Sequence, residues 1–171
     1  VEYDCICGIA NGVPPTIGDH FHPRGDLNRA VMAMDNEVYA RLRPLQPWIE
    51  GAKAVTEIGN VMKCDYPGYG WAGGDRPQQK SLAVQATKAA TRMLCELKMQ
   101  FDNVTMASAW DRYKVLVLPD EIEVDAALAE RLQGHLERGG AIVSSGNSGL
   151  DPAHAAFVLD AWGAKYVGLD P

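Results

Sequence analysis

The chain lacks the features that would mark it for a membrane or for nucleic acid. None of its apolar runs approaches the roughly 18 residues that a helical membrane span needs. Residues 1–9 carry two acidic and no basic side chains, so the basic start of a secretory signal is missing. With 22 acidic against 16 basic residues, the net charge of −6 argues against a surface that binds nucleic acid or anionic lipid. We therefore expect neither nucleic acid nor a membrane as a partner.

Cysteine is scarce as well, and its spacing fits neither a zinc site nor a redox motif. The four cysteines are Cys5, Cys7, Cys64 and Cys95, and no two of them form a CxxC pair. Cys5 and Cys7 could form a metal or redox pair, but two small core residues are the simpler interpretation. We expect reduced thiols in a cytoplasmic protein, with no metal and no cofactor.

What the chain does have is apolar character, which first appears near its start. Hydrophobic residues make up 47% of the 171 residues, enough for a packed core. The run at 3–10 is apolar with little alternation and predicts a strand buried on both faces. After a polar loop, Asp26 is the predicted N-cap of a helix that continues to about Arg43. Its apolar positions fall at helical spacing: Leu27, Val31, Met34, Val38 and Leu42.

From residue 52 onward, strands alternate with helices. Strands are predicted at 52–62, 101–106, 114–118, 141–144 and 165–169, and helices at 81–99, at 124–138 and from Asp151. The helix at 81–99 has one apolar stripe, formed by Leu82, Ala86, Ala89, Met93 and Leu97. A long loop rich in glycine, proline and aromatic residues is predicted at 63–79, a type that is often functional or interfacial. This order implies an α/β fold with a mostly parallel sheet covered on both faces.

The densest group of chemically capable side chains lies in the loop before the first long helix. Asp19, His20, His22 and Arg24 lie within six consecutive positions. Such donors suit the recognition of hydroxyl and carboxylate groups, and the arginine could clamp an anion. A His-x-His pair could also bind a metal. The competing structural interpretation is a loop held by an Asp19–Arg24 ion pair and by histidine hydrogen bonds.

A second candidate is the turn Ser144-Ser145-Gly146-Asn147-Ser148-Gly149, which follows a predicted strand. Ligands of doubly wound sheets bind beyond the carboxyl ends of the strands. The turn has no cysteine and does not match G-x-S-x-G, so a hydrolase that uses Ser145 or Ser148 is a weak alternative. A tight turn that satisfies its own backbone is the structural interpretation. A small-molecule-binding module at the strand ends is a third alternative.

Two histidines and three acids near these strand ends have simpler structural interpretations. His135 lies on the apolar side of a helix, and a hydrogen-bonded packing role is favoured over a catalytic base for it and for His154. Asp120, Glu121 and Glu123 could serve as general acid or base, but they could equally begin and solvate a helix.

The segment YKVLVLPDEIEVDAALAERLQGHLERGGAIVSSGNSG, residues 113–149, resembles the beta-galactosidase trimerisation domain of glycoside hydrolases. The shared pattern is Y-K, an apolar strand ending in Pro, a helix, Gly-Gly, a second apolar strand and a turn of small residues. The resemblance implies a flavodoxin-like, three-layer α/β/α fold related to class I glutamine amidotransferases that has lost its nucleophile. It also implies a non-catalytic module that self-associates, with a trimer favoured and the 66–71 loop as a natural contact.

The segment before it is similar to the end of the catalytic barrel in glycosidases related to alpha-L-fucosidases. The features that carry this likeness are ANG, GDHFHPRG, the following helix and QPWIEGA, within residues 9–52. The two resemblances imply a division into residues 1–51, a barrel strand, loop and helix, and residues 52–171, the trimerisation domain. Asp19, His20, His22 and Arg24 would then line the rim of a sugar site. The catalytic carboxylates would belong to the rest of the barrel, so this chain alone would bind carbohydrate only through its parent and would be inactive.

Overall fold

The structure is a computed structural model that describes residues 1–62 and 77–168. It divides into two compact units, Val1–Val55 and Thr56–Pro171. Within the described ranges, none of the helices is long and apolar enough to cross a bilayer.

The first unit is helical. It contains α1 (Glu2–Ala10), α2 (Arg29–Leu42), a short 3₁₀ turn (Arg43–Leu45) and α3 (Gln46–Ile49). The side chain of Asn28 caps α2 by accepting a hydrogen bond of 3.0 Å from the backbone N–H of Ala30. The predicted cap at Asp26 is therefore wrong by two residues, and Asp26 instead pairs with Arg24.

The predicted strand at 3–10 is wrong, because this segment is the helix α1. A short continuous apolar run has the same pattern in a buried strand and in a buried helix, so periodicity could not separate them. In the helix, Cys5 packs with Val38 and Leu42 of α2, with Ile9 one turn further along the same side. An ion pair of 2.7 Å between Glu2 and Arg41 joins the two helices at their exposed side.

The second unit contains a four-stranded parallel sheet. Its elements are β1 (Ile58–Val61), α4 (Pro77–Glu96), β2 (Phe101–Val104), β3 (Val115–Leu118), α5 (Ala126–Glu137) and β4 (Ala141–Ser144). The strand order is β2-β1-β3-β4, with Ile58 opposite both Phe101 and Val115. This is the beginning of the flavodoxin-like order, so the predicted α/β fold with a parallel sheet is confirmed.

The two faces of the sheet differ in polarity. On one face Val104, Leu116 and Leu118 pack with Leu128 and Leu132 of α5 to form the main apolar core. The other face carries Asn60, which is fully buried and donates hydrogen bonds to Thr91 Oγ1 on α4 (3.3 Å) and to Asn103 Oδ1 on β2 (2.8 Å). Because side chains alternate along each strand, α5 packs on an apolar face of the sheet and α4 packs on a partly polar face.

The connection from β2 to β3 has no helix. Its centre is Trp110, which is buried and donates a hydrogen bond of 3.1 Å to the carbonyl oxygen of Thr105. The guanidinium of Arg131 on α5 lies 4.0 Å from the Trp110 ring centre and donates to the carbonyl oxygens of Met106 and Ser108. Arg131 thereby joins the connection to α5 through a cation–π contact and two hydrogen bonds.

The predicted stripe on α4 does not face the core. Among residues 82–96 of this helix, Ala83, Ala90 and Leu94 are buried, whereas Leu82 and Met93, and Leu97 just after the helix, are exposed. An apolar stripe normally faces the interior of its own chain, so this outward orientation is an exception that the packing of α4 on the sheet imposes. Most of the predicted loop at 63–79, including the 66–71 segment, lies outside the described residues.

The predicted helix from Asp151 and the predicted strand at 165–169 are both wrong over the described residues. The Asp151 carboxylate accepts hydrogen bonds from the backbone N–H groups of Ala153 (3.1 Å) and Ala155 (2.8 Å), and His154 has a left-handed φ of 54°. An aspartate that satisfies nearby backbone in this way competes with a helix. The chain instead forms turns and a 3₁₀ helix at Asp160–Trp162, and residues 163–168 form no strand.

The packing of His135 against Gly140 can be tested by mutation. Its ring is buried, lies 3.1 Å from the carbonyl oxygen of Ala141 through Nε2, and fills the space that a Cβ on Gly140 would need. We expect Gly140→Ala to lower the free energy of unfolding by about 1–3 kcal/mol, because the added methyl overpacks the site. Urea denaturation measures the change.

The matched control is Gly134→Ala, at a half-buried position of α5. There a Cβ would meet only the end of the Arg138 side chain, at 3.4 Å. Alanine is favoured over glycine inside a helix by up to about 1 kcal/mol, so this variant should be as stable as the parent or more stable. Equal stability of the two alanine variants would contradict the packing role of His135.

Candidate functional site

The turns after β3 and β4 are locked together by one buried serine. The Ser148 hydroxyl donates a hydrogen bond of 2.6 Å to the carbonyl oxygen of Pro119 and accepts one of 3.1 Å from the backbone N–H of Ile122. Two backbone hydrogen bonds extend the lock, from Gly149 to Ile122 (3.0 Å) and from Val124 to Leu150 (2.8 Å). Ser148 therefore joins the two turns and has a structural role.

Acidic side chains close over this turn. Gly146 has a φ of +56°, and a Cβ there would lie 2.7 Å from Oδ1 of Asp120. Glu121 also has a left-handed φ, of 71°, and its carboxylate lies 3.4 Å from the side-chain nitrogen of Asn147. Asp120 and Glu121 thus occupy the space above the turn where a ligand of such a fold would bind.

Neither histidine of this region is paired with Ser145 or Ser148 as a catalytic base would be. His135 bonds Ala141 as described above, and Nε2 of His154 lies 2.9 Å from Oε1 of Glu123. A serine nucleophile needs a base within hydrogen-bond reach. The packing role predicted for His135 is confirmed, and the hydrolase alternative at this turn has no geometric support among the described residues.

The four predicted rim residues lie on an exposed loop of the first unit. The Asp19 carboxylate accepts a hydrogen bond of 2.7 Å from the backbone N–H of His20, and Arg24 forms an ion pair of 3.2 Å with Asp26. The suggested Asp19–Arg24 pair is thus replaced by Arg24–Asp26. The backbone of His22 bonds to Asp26 and Gly25, which makes a tight turn.

The loop residues do not meet in a pocket. The first unit has a mainly apolar cavity of about 500 Å³, but Asp19, His20, His22 and Arg24 are absent from its lining. Among residues 1–62 and 77–168, no group of three or more His, Cys, Asp or Glu side chains could hold a metal ion. The rim role of the four residues stays a prediction. Cys5, Cys7 and Cys95 are free thiols, and the cytoplasmic location also stays a prediction.

Sequence reasoning missed a polar cluster around Asp102, near the start of the edge strand β2. Its Oδ2 accepts hydrogen bonds from Thr56 Oγ1 (2.5 Å) and from the Tyr113 hydroxyl (2.9 Å), and it pairs with Arg112. Asp102, Arg112 and Tyr113 border a cavity of about 550 Å³ together with Asn103 and Ser108. These residues gave no sequence signal, because the cluster joins positions up to 57 apart, in β2 and in the segments before β1 and β3.

The cluster shifts the acidity of two of its members. Partial burial acts to raise the pKa of Asp102, but the hydrogen bonds from Thr56 and Tyr113 and the charge of Arg112 together hold it below its ordinary value. Burial, together with the nearby Asp102 carboxylate, raises the pKa of Tyr113, against the opposing effect of Arg112. The ionised carboxylate and the neutral phenol are therefore the favoured forms.

With the geometry described, comparison with known proteins decides the family. Residues 70–166 match the family model of the beta-galactosidase trimerisation domain, which is more than half of the chain. The chain belongs to the beta-galactosidase trimerisation domain family. The resemblance predicted from residues 113–149 is confirmed, and the domain fits a non-catalytic, self-associating module of a glycoside hydrolase.

Solved structures of two glycoside hydrolases are similar to the chain. Alpha-L-fucosidase isoenzyme 2 from Paenibacillus thiaminolyticus is 28% identical over 92% of this chain, with a TM-score of 0.74. A beta-galactosidase from Bifidobacterium adolescentis is 24% identical over 58% of this chain and 45% of its own, with a TM-score of 0.46. The chain spans only 23% of the fucosidase. No curated protein matches the chain.

The lock at the strand ends of the trimerisation domain can be tested at Ser148. We expect Ser148→Ala to lower the free energy of unfolding by about 1–3 kcal/mol, because the buried N–H of Ile122 and the carbonyl of Pro119 lose their partner. The exposed Ser145→Ala serves as the control and should change stability by less than about 0.5 kcal/mol. Chemical denaturation measures both, and a Ser148→Ala variant as stable as the control would exclude the lock.

The Asp102 cluster predicts a dependence of stability on pH. A carboxylate whose pKa is lowered by folding stabilises the native state at pH values above its unfolded pKa of about 3.9. This stabilisation is lost as the pH falls through the pKa of the folded state. We therefore expect Asp102→Asn to be less stable than the parent at pH 7, by about 1 kcal/mol. The difference should shrink below about pH 4. Thermal melts at pH 7 and pH 3 compare the two proteins, and a difference that persists unchanged at pH 3 would contradict the assignment.

Proposed function

We propose that this chain is the C-terminal region of a glycoside hydrolase, in which the α/β unit joins copies of the enzyme into a trimer. The observation that carries the proposal is the family match over residues 70–166. It is supported by the turn after β4, where a related amidotransferase would hold its cysteine nucleophile. Here the Ser148 hydroxyl both donates and accepts a hydrogen bond, and the Asp120 side chain lies against Gly146. A module that has lost its nucleophile suits an assembly role.

We further propose that the first unit is the end of the catalytic barrel of the same enzyme. The similarity to the fucosidase covers 92% of the chain, so it includes most of residues 1–55. The exposed donors Asp19, His20, His22 and Arg24 would then face carbohydrate at the barrel rim. The substrate and the catalytic carboxylates would belong to the remainder of the parent, whose length exceeds this chain several-fold if it resembles the fucosidase.

The oligomeric state and the activity of the purified chain test this function together. We expect light scattering to give three times the monomer mass of 18.6 kDa across a concentration series. We also expect no hydrolysis of nitrophenyl galactosides or fucosides, because the paired carboxylates of a glycosidase are supplied by the barrel. A monomer at every concentration would contradict the assembly role.

Turnover by the chain alone would contradict its non-catalytic role, and two variants would identify the source. Loss of that turnover in His22→Ala would assign it to the loop of the first unit. Labelling of the chain by a fluorophosphonate, lost in Ser145→Ala, would instead revive the hydrolase alternative. Thermal stabilisation by flavins or mononucleotides would favour the small-molecule module.

A further inference from the structure

The helix α4, with Leu97 directly after its end, carries a row of largely exposed apolar side chains. Leu82, Met93 and Leu97 are 48%, 59% and 64% exposed. They recur with the half-buried Ala86 and the exposed Ala89 at intervals of three and four residues, so the five share one side of the helix. Ala83, Ala90 and Leu94, which are buried, form a separate row a quarter-turn away. We name the outward row, formed by Leu82, Ala86, Ala89, Met93 and Leu97, the α4 stripe.

The α4 stripe has the shape of a helix-packing surface. At 1.5 Å per residue it is about 22 Å long from Leu82 to Leu97. Large side chains stand at its two ends, and the small Ala86 and Ala89 between them let another backbone approach closely. Its exposed apolar area is on the order of 300 Å², within the range that marks an interaction site on a monomer. A single exposed leucine needs no explanation, but a continuous row of this length does.

A polar border follows one edge of the stripe. Arg92 and Glu96 form an ion pair of 2.7 Å along the helix, and both are largely exposed. An apolar centre with a charged, solvated rim is the ordinary anatomy of a protein interface. Because the pair is already neutralised within one chain, it would not repel the same pair on another copy.

We propose that the α4 stripe is the contact through which copies of this chain associate. The inference rests on the proposed function, since the family is a trimerisation domain and its self-association needs an exposed apolar surface on each copy. In a closed ring the stripes of all copies can meet around the symmetry axis, where each covers the next and none stays in water. The partner that covers the stripe is thus a second copy of the chain. The stripe is apolar because it is buried only in the assembly.

The test replaces Met93 by glutamate and compares it with a matched control on the same helix. Met93→Glu puts an unpaired charge within the stripe, between Ala89 and Leu97, whereas Val84→Glu puts the same charge on the opposite side of the helix, at a residue that is 51% exposed. Burial of an uncompensated charge costs several kcal/mol, so the concentration at half dissociation should rise at least about 100-fold for Met93→Glu. Val84→Glu should keep the mass of the parent. Light scattering of the full chain over a concentration series measures all three proteins.

The outcomes separate this inference from the proposed function. An assembled parent with an equally assembled Met93→Glu overturns the stripe as the contact but leaves the assembly role intact. Dissociation of Val84→Glu to the same degree also overturns it. A parent that is monomeric throughout overturns the assembly role and the stripe together. Circular dichroism and melting temperature check that Met93→Glu keeps its fold, and Leu97→Lys is a second variant with the same expected result should Met93→Glu be unfolded.

Discussion

The Ser148 hydroxyl holds together the end of the sheet where a related enzyme would do chemistry. It spans the turns after β3 and β4 through Pro119 and Ile122, and the backbone bonds beside it run in both directions between the same turns. Because the serine is buried, water cannot replace these bonds, and each buried group would be costly to leave unpaired. The same hydrogen bonds that hold the two turns together engage the Ser148 hydroxyl both as donor and as acceptor.

The two faces of the sheet in this domain are covered differently. The core is built on one face of the sheet, where Leu116, Leu118 and the inner side of α5 exclude water completely. The other face carries the hydrogen-bonded amides of Asn60 and Asn103. On α4, Ala83, Ala90 and Leu94 are buried, whereas Leu82 and Met93 are exposed.

Several elements could be predicted from the sequence because their signals are local. Apolar runs predicted the strands at 114–118 and 141–144. An apolar stripe predicted the helix between them, and Gly-Gly predicted its end. The candidate site was predicted less well. The sequence singled out the turn at 144–149, but the engagement of Ser148 depends on Pro119 and Ile122, which lie 29 and 26 residues away. The Asp102 cluster had no local signal at all.

Composition, periodicity and motif resemblance determined the class of fold, the parallel sheet and the trimerisation family, since each depends on short-range pattern or on shared residues. Only the tertiary structure decided that residues 3–10 are a helix, that the chain after Asp151 forms turns, and that the α4 stripe points outward. Apolar residues favour burial, but their sequence neighbours do not say against what they pack. The packing of distant elements decides this, and on α4 it buries Ala83, Ala90 and Leu94 and leaves Leu82 and Met93 exposed.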